Sequence, residues 1–143
     1  MSAQELAQFI PTPLDEEGWE WTVPEGYRFV GAGAYRVCYE RDGWVYKFDQ
    51  GETASNEMEW AMYQALQDRH VDGVRLPETR FEHGLIVMEY VKGQTPPPCY
   101  YGDCECGWDV CWTEKLTELG LVDVSSYNAK IQGDVVVPID LEC

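Results

Sequence analysis

Tyr27 to Asp49 reads YRFVGAGAYRVCYERDGWVYKFD, and its punctuation decides the fold class. Two runs rich in β-branched and aromatic residues flank Gly31-Ala32-Gly33, and Asp42-Gly43 separates the second from a third, Trp44 to Phe48. An Asp-Gly pair between such runs is a strong hairpin signal, because a two-residue primed turn needs positive φ at its centre. The spacing predicts three consecutive antiparallel strands. A glycine-rich turn also lets backbone N–H groups approach an anion with no side chain in the way, although a plain meander accounts for the same letters. In the third run Val45 and Lys47 share one face, and Trp44, Tyr46 and Phe48 the other. On an outer face Lys47 would reach out to water; on an inner face it needs an anionic partner.

Downstream, Thr53 to Leu66 carries Met58, Ala61, Met62 and Ala65 at helical spacing, with Glu59 at the edge of that stripe. Asn56-x-x-Glu59 also spells a capping box, which would use Glu59 to close the helix N-terminus. Arg75 to Gly93 holds two further strand-like runs around Glu82-His83-Gly84, the second continuously apolar except for Glu89. Upstream, Ser2 to Ile10 fits two turns of helix with Leu6, Phe9 and Ile10 on one side, stopped by Pro11 and Pro13. Asp15 to Gly26 reads as an irregular or edge segment.

The 143 residues allow one domain or two small lobes, and 45% hydrophobic content is enough for a core. Against 26 acidic side chains stand 10 basic ones, a net charge of −16 that disfavours direct binding to nucleic acid or to an anionic membrane. The same charge would suit a basic protein partner. No apolar run approaches the roughly 18 residues of a membrane span. The opening MSAQELAQFI lacks a basic and then apolar leader, so a cytoplasmic protein is expected.

The far end, Leu119 to Cys143, holds Asp123 and Asn128 in a polar loop, then a hairpin pattern of Ala129 to Ile131 and Val135 to Ile139 around Gly133-Asp134, ending on Asp140. Such a hairpin brings Asn128 and Asp140 to the same end, with Asp123 one loop away. Two carboxylates and an amide oxygen suit a hard cation such as Mg²⁺, while a surface hairpin with ordinary acidic ends explains them without a metal.

In this order the elements resemble the protein kinase-like fold, strongly shortened and nearest in character to bacterial and phage kinase relatives. The resemblance covers residues 27 to 142 and implies an α+β chain with a five-stranded antiparallel N-lobe, one main helix and a much reduced C-lobe. The divisions it implies are an N-terminal extension (1–24), an N-lobe (25–93) and a C-lobe (94–143). Gly31, Ala32 and Gly33 correspond to the glycine-rich loop, and Lys47 and Glu59 to the strand lysine and helix glutamate that form an ion pair. Glu89 and Val91 correspond to the backbone hinge that holds adenine, Asp123 to the catalytic-loop aspartate, and Asn128 and Asp140 to the metal ligands. The chain departs from the pattern at Arg36, which stands at the third loop glycine, and at Asp140-Leu141-Glu142 in place of D-F-G. No activation segment follows Asp140 in this sequence.

The resemblance implies ATP and Mg²⁺ as cofactors and γ-phosphoryl transfer to a protein or small-molecule hydroxyl, in the cytoplasm, or in a host's if the source is viral. A non-catalytic alternative stands beside it: a pseudokinase, or an acidic decoy occupying a basic site on a partner protein.

Between the lobes, Pro96 to Pro98 predict an extended bridge, and Cys99, Cys104, Cys106 and Cys111 follow as C-x4-C-x-C-x4-C. Four thiols so close would suit a structural Zn²⁺ that staples a small lobe; reduced cysteines in a core are the other reading. Thr113 to Leu119 then predicts a short helix. If the four thiols bind metal, protein purified without chelator should carry about one zinc per chain, and stripping it should loosen this region. Metal-free protein of unchanged stability would return the cysteines to an ordinary core role.

Overall fold

A computed structural model describes residues 2–51, 53–97, 107–121 and 128–140. The elements are α1 (Ala3–Ala7), β1 (Arg28–Ala32), β2 (Arg36–Arg41), β3 (Trp44–Asp49), α2 (Ser55–Leu66), β4 (Thr79–Glu82), β5 (Leu85–Glu89), α3 (Trp112–Leu119), β6 (Ala129–Gln132) and β7 (Val135–Pro138). The chain is α+β, with a five-stranded antiparallel sheet in the order β1-β2-β3-β5-β4 and a separate β6-β7 hairpin. Among the described residues no helix is long and apolar enough to cross a membrane.

Turn chemistry sets the strand register. Asp42 and Gly43, with φ of 52° and 87°, join β2 to β3, and His83 and Gly84, at 51° and 83°, join β4 to β5. Paired positive φ values belong to the primed turns whose twist matches the flanking strands. Gly133, at φ 63°, opens the two-residue loop of β6-β7.

Two compact units divide the chain: 1–60 with 78–90, and 61–77 with 91–143. Leu6 of α1 is buried in the first unit with Val37, Tyr39, Phe48 and Leu85, so the N-terminal segment is part of that core. Phe9 packs edge-on to Tyr39 and Phe48, with centroids 5.8 and 5.9 Å away. The Tyr39 hydroxyl donates to the Thr22 carbonyl at 2.6 Å, and burial pushes its pKa up to about 12. Ile10, expected beside Leu6 and Phe9, is instead 78% exposed, because α1 ends at Ala7.

In the second unit, Leu66 at the end of α2 packs with Val71, Trp112, Leu116, Leu119, Leu121, Ala129 and Val136. Gly93 is required here, since a Cβ would lie 2.6 Å from the Ile131 carbonyl oxygen. Trp112 is 1% exposed and its indole N–H donates to the Pro97 carbonyl at 3.1 Å. Replacing it removes the largest side chain of this core together with its bond to that carbonyl. Trp112→Ala is therefore expected to cost about 3–5 kcal/mol, read as a lowered urea midpoint by circular dichroism. A loss under about 1 kcal/mol would mean that the second core does not depend on this ring.

Candidate functional site

The polar cluster of the first unit is built by β2, β3 and the first half of α2. Alternation along the strands sends Val37, Tyr39 and Phe48 into the apolar core and turns Arg36, Cys38 and Lys47 to the other face. Cys38 and Lys47 are directly paired across the ladder. Against this second face lies the start of α2, where Trp60 stacks on Phe81 of β4 with centroids 6.0 Å apart.

The buried stripe of α2 is rotated from the one its apolar residues predict. Met58 is 51% exposed, Ala61 and Ala65 are exposed too, and Ser55, Asn56, Glu59 and Leu66 are the buried positions. The capping-box reading of Glu59 also gives way. Asp49, at the end of β3, accepts from the Asn56 N–H at 3.1 Å and from the Thr53 hydroxyl at 3.2 Å, so a strand carboxylate supplies the cap. Glu59 is left to other work, which explains the rotation: two cations wait for it on the sheet.

Glu59 has no solvent exposure, and Lys47 Nζ donates to both its oxygens, at 2.7 Å to Oε1 and 2.9 Å to Oε2. Arg36 Nη1 donates to the same Oε1 at 2.5 Å. Burial by itself would raise the Glu59 pKa; attraction to Lys47 and Arg36 and their hydrogen bonds outweigh it and hold the carboxyl below its ordinary value. Asn56 Nδ2 donates to the Lys47 carbonyl at 2.7 Å and to the Gly84 carbonyl at 2.9 Å, clipping the helix to β3 and to the β4-β5 turn, next to where β3-β5 pairing ends. Arg36, Asn56 and Asp49 were not foreseen as parts of this cluster. Strand alternation carried a signal for Arg36, which shares parity with Cys38, the partner of Lys47, and for Asp49, which shares parity with Lys47 itself; Asn56 carried none.

Gly31 and Ala32 end β1 and Gly33 follows them, its N–H donating to the Arg36 carbonyl at 2.9 Å. Neither glycine has positive φ, and a Cβ built on either meets nothing within 4 Å. Gly31 follows a bulge in the β1-β2 ladder, between the Phe29–Tyr39 and Gly31–Cys38 pairs, which is a structural use for glycine; at Gly33 the fold makes no such demand. Glu89 ends β5; its N–H bonds the Glu78 carbonyl at 2.9 Å, and its carboxylate accepts from the Glu78 N–H at 2.8 Å. The Tyr90 N–H is taken by the Gly43 carbonyl at 2.8 Å, whereas the Val91 N–H has no partner among the described residues.

In the second unit the β6-β7 hairpin extends by one bond, Ile139 N–H to the Asn128 carbonyl at 2.9 Å, which brings Asn128 and Asp140 to its open end. Both are partly buried. Their oxygens are the donor type that Mg²⁺ takes. Asp123, Cys99, Cys104 and Cys106 lie outside the described residues, while Cys111 Sγ sits 3.1 Å from the Thr113 hydroxyl at the start of α3. Among the described residues no group of three or more His, Cys, Asp or Glu side chains is placed to hold a metal ion. Comparison of the chain with protein-family models, with curated proteins and with solved structures found no match.

Because the Glu59 carboxyl is held below its ordinary value, its contribution to stability is complete above the usual glutamate pKa of about 4.3 and is lost as pH falls through the lowered one. Glu59→Gln strands two buried cations and is expected to cost about 3–5 kcal/mol at neutral pH. That deficit should shrink below about pH 4 as the wild type protonates. Urea denaturation of both proteins between pH 7 and 2.5 measures the difference, from which the general relief of acidic repulsion cancels. A pH-independent deficit would show that the charge of Glu59 is not what matters.

Proposed function

We propose that this chain is a minimal kinase-like protein that binds Mg-ATP and transfers its γ-phosphoryl group to a hydroxyl. The observation that carries the reading is the buried bond of Lys47 to both oxygens of Glu59, on a strand and helix that follow a glycine-bearing hairpin. A buried lysine–glutamate pair is expensive to desolvate, and a well-packed apolar pair would often serve stability as well. Its presence is better explained by a task for the lysine, and in kinases that task is to hold the nucleotide phosphates.

Further support comes from the turn and from β5. Gly33 is needed neither for φ nor for packing, which makes close approach of a ligand to its backbone a reason for it, and Gly31, beside a bulge of the ladder, likewise leaves room for such an approach. The Val91 N–H is the one donor of the Glu89 to Val91 segment with no partner among the described residues, and the resemblance gives it to adenine. Asn128 and Asp140 would hold the magnesium ion, which supplies charge neutralisation at the phosphates. Asp123 would orient the acceptor hydroxyl and take its proton. With phosphates and hydroxyl positioned, phosphoryl transfer asks for little more of the protein than electrostatic complementarity.

Saturating Mg-ATP should raise the melting temperature of the wild type, because a ligand bound only by the native state adds to its stability. Lys47→Met and Asp140→Asn should each remove most of that rise. Asp123→Ala should keep it and abolish phosphate release or autophosphorylation, since a group acting only in the transition state contributes nothing to nucleotide affinity. An unchanged melting temperature in the wild type would sink the nucleotide reading. Binding without transfer to itself, water or candidate acceptors would favour the pseudokinase, and full transfer by Asp123→Ala would overturn its assigned role.

A further inference from the structure

Arg36 has no counterpart in the glycine-rich pattern, yet its guanidinium and its carbonyl touch both halves of the candidate site. Its carbonyl accepts from Gly33 N–H at 2.9 Å and from Gln50 Nε2 at 3.3 Å, closing the glycine turn. Its guanidinium, 8% exposed, reaches Glu59 Oε1 at 2.5 Å, alongside Lys47 Nζ at 2.7 Å. The same Nη1 lies 3.4 Å from Asn56 Oδ1. One residue thus ties the turn to the carboxylate that also holds Lys47.

The double grip solves a problem that a lone lysine–glutamate pair would face. If the Lys47 ammonium turned toward a phosphate, it would give up bonds to a carboxylate with no access to water. Breaking a buried pair by removing one partner costs several kcal/mol, because the remaining charge is stranded. Arginine stays protonated throughout and keeps its fork in place. With Arg36 on Oε1, Glu59 retains a cation whatever Lys47 does.

We propose that Arg36 is a positioning residue that holds Glu59 in place so that Lys47 can engage the phosphate oxygens of a nucleotide bound over the Gly31–Gly33 turn. This rests on the nucleotide-binding reading for its second half; the clamp on Glu59 does not. The ligand class is a polyphosphate ester, and Arg36 acts on it through Glu59 and Lys47 rather than by contact.

Two measurements on the full chain test it. The first is the stability of Arg36→Met, Lys47→Met and their double variant by urea denaturation at neutral pH. Each single variant leaves Glu59 one cation, so the double should lose clearly more than the sum of the singles. Adding Glu59→Gln to the double should restore stability, since the Glu59 charge is then no longer stranded. Additive losses, or a triple variant no better than the double, overturn the clamp. The triple variant also decides the matter should the double fail to fold.

The second measurement is the apparent affinity for Mg-ATP and for inorganic tripolyphosphate, read by thermal shift. Arg36→Met should weaken both by about tenfold or more, and Arg36→Lys should recover affinity to within about threefold of wild type. A merely structural Arg36 would lower the melting temperature and leave both affinities unchanged, which would overturn its role toward Lys47. A wild type that responds to neither probe overturns the nucleotide reading and the phosphate half of this proposal together. The stability cycle then decides the clamp alone.

Discussion

A carboxylate with no solvent access is the constraint on which the first unit depends. Glu59 cannot remain ionised there without close cations, and the geometry supplies Lys47 from β3 and Arg36 from β2. Three elements must therefore meet at one point, and neighbouring bonds serve the same meeting. Asp49 caps the helix that carries Glu59, and Asn56 pins that helix to the carbonyls of Lys47 and Gly84. Among the described residues no buried side-chain polar atom lacks a partner, as a low-dielectric site demands. An apolar cluster could hold a helix on a sheet with less desolvation. What the ionic version provides is a lysine held at a fixed place by its partner.

The second unit depends on a different constraint, which is size. It has few elements, and its core relies on Trp112, three leucines from α3 and the loop after it, and the inner residues of a two-stranded hairpin. A hairpin alone is marginal in water, so packing on a helix and close backbone approach must hold it. The Gly93–Ile131 contact is that approach, and the paired Gln94–Ile131 bonds of 2.9 and 2.8 Å continue it. The open end of this hairpin is where Asn128 and Asp140 stand, so the candidate ligands sit on one of the few regular pieces available.

Much of the sheet was legible because its signals are local. Asp42-Gly43 and His83-Gly84 mark turns by backbone need alone, and the alternation of Trp44 to Phe48 correctly divided Lys47 from Tyr46 and Phe48. The face of α2 was not legible. Its apolar letters, Met58, Ala61 and Ala65, point to solvent, while a glutamate points inward. Helical periodicity weighs residues by hydrophobicity and so cannot see that Glu59 has two cations waiting about twelve and twenty-three positions upstream. The cap from Asp49 was not legible either, because it comes from the preceding strand, seven positions before the Asn56 N–H that it accepts from, and not from the helix itself. For Arg36 the parity of β2 held the answer, but its position in a glycine-rich pattern drew the reading toward what was missing rather than what was there.

Charge supplies the last link between sequence and the proposed chemistry. A chain of net charge −16 repels a polyphosphate at long range, so any affinity must come from short-range groups. Cations on the outer surface would be poor candidates, because water and salt screen them and the acidic majority surrounds them. Lys47 and Arg36 escape both effects, being buried on one sheet face and fixed by a common anion. Glu59 is therefore more than a counterion under this reading. By holding two cations out of the solvent, it keeps positive charge concentrated beside the glycine turn in a protein whose overall field opposes an anionic ligand.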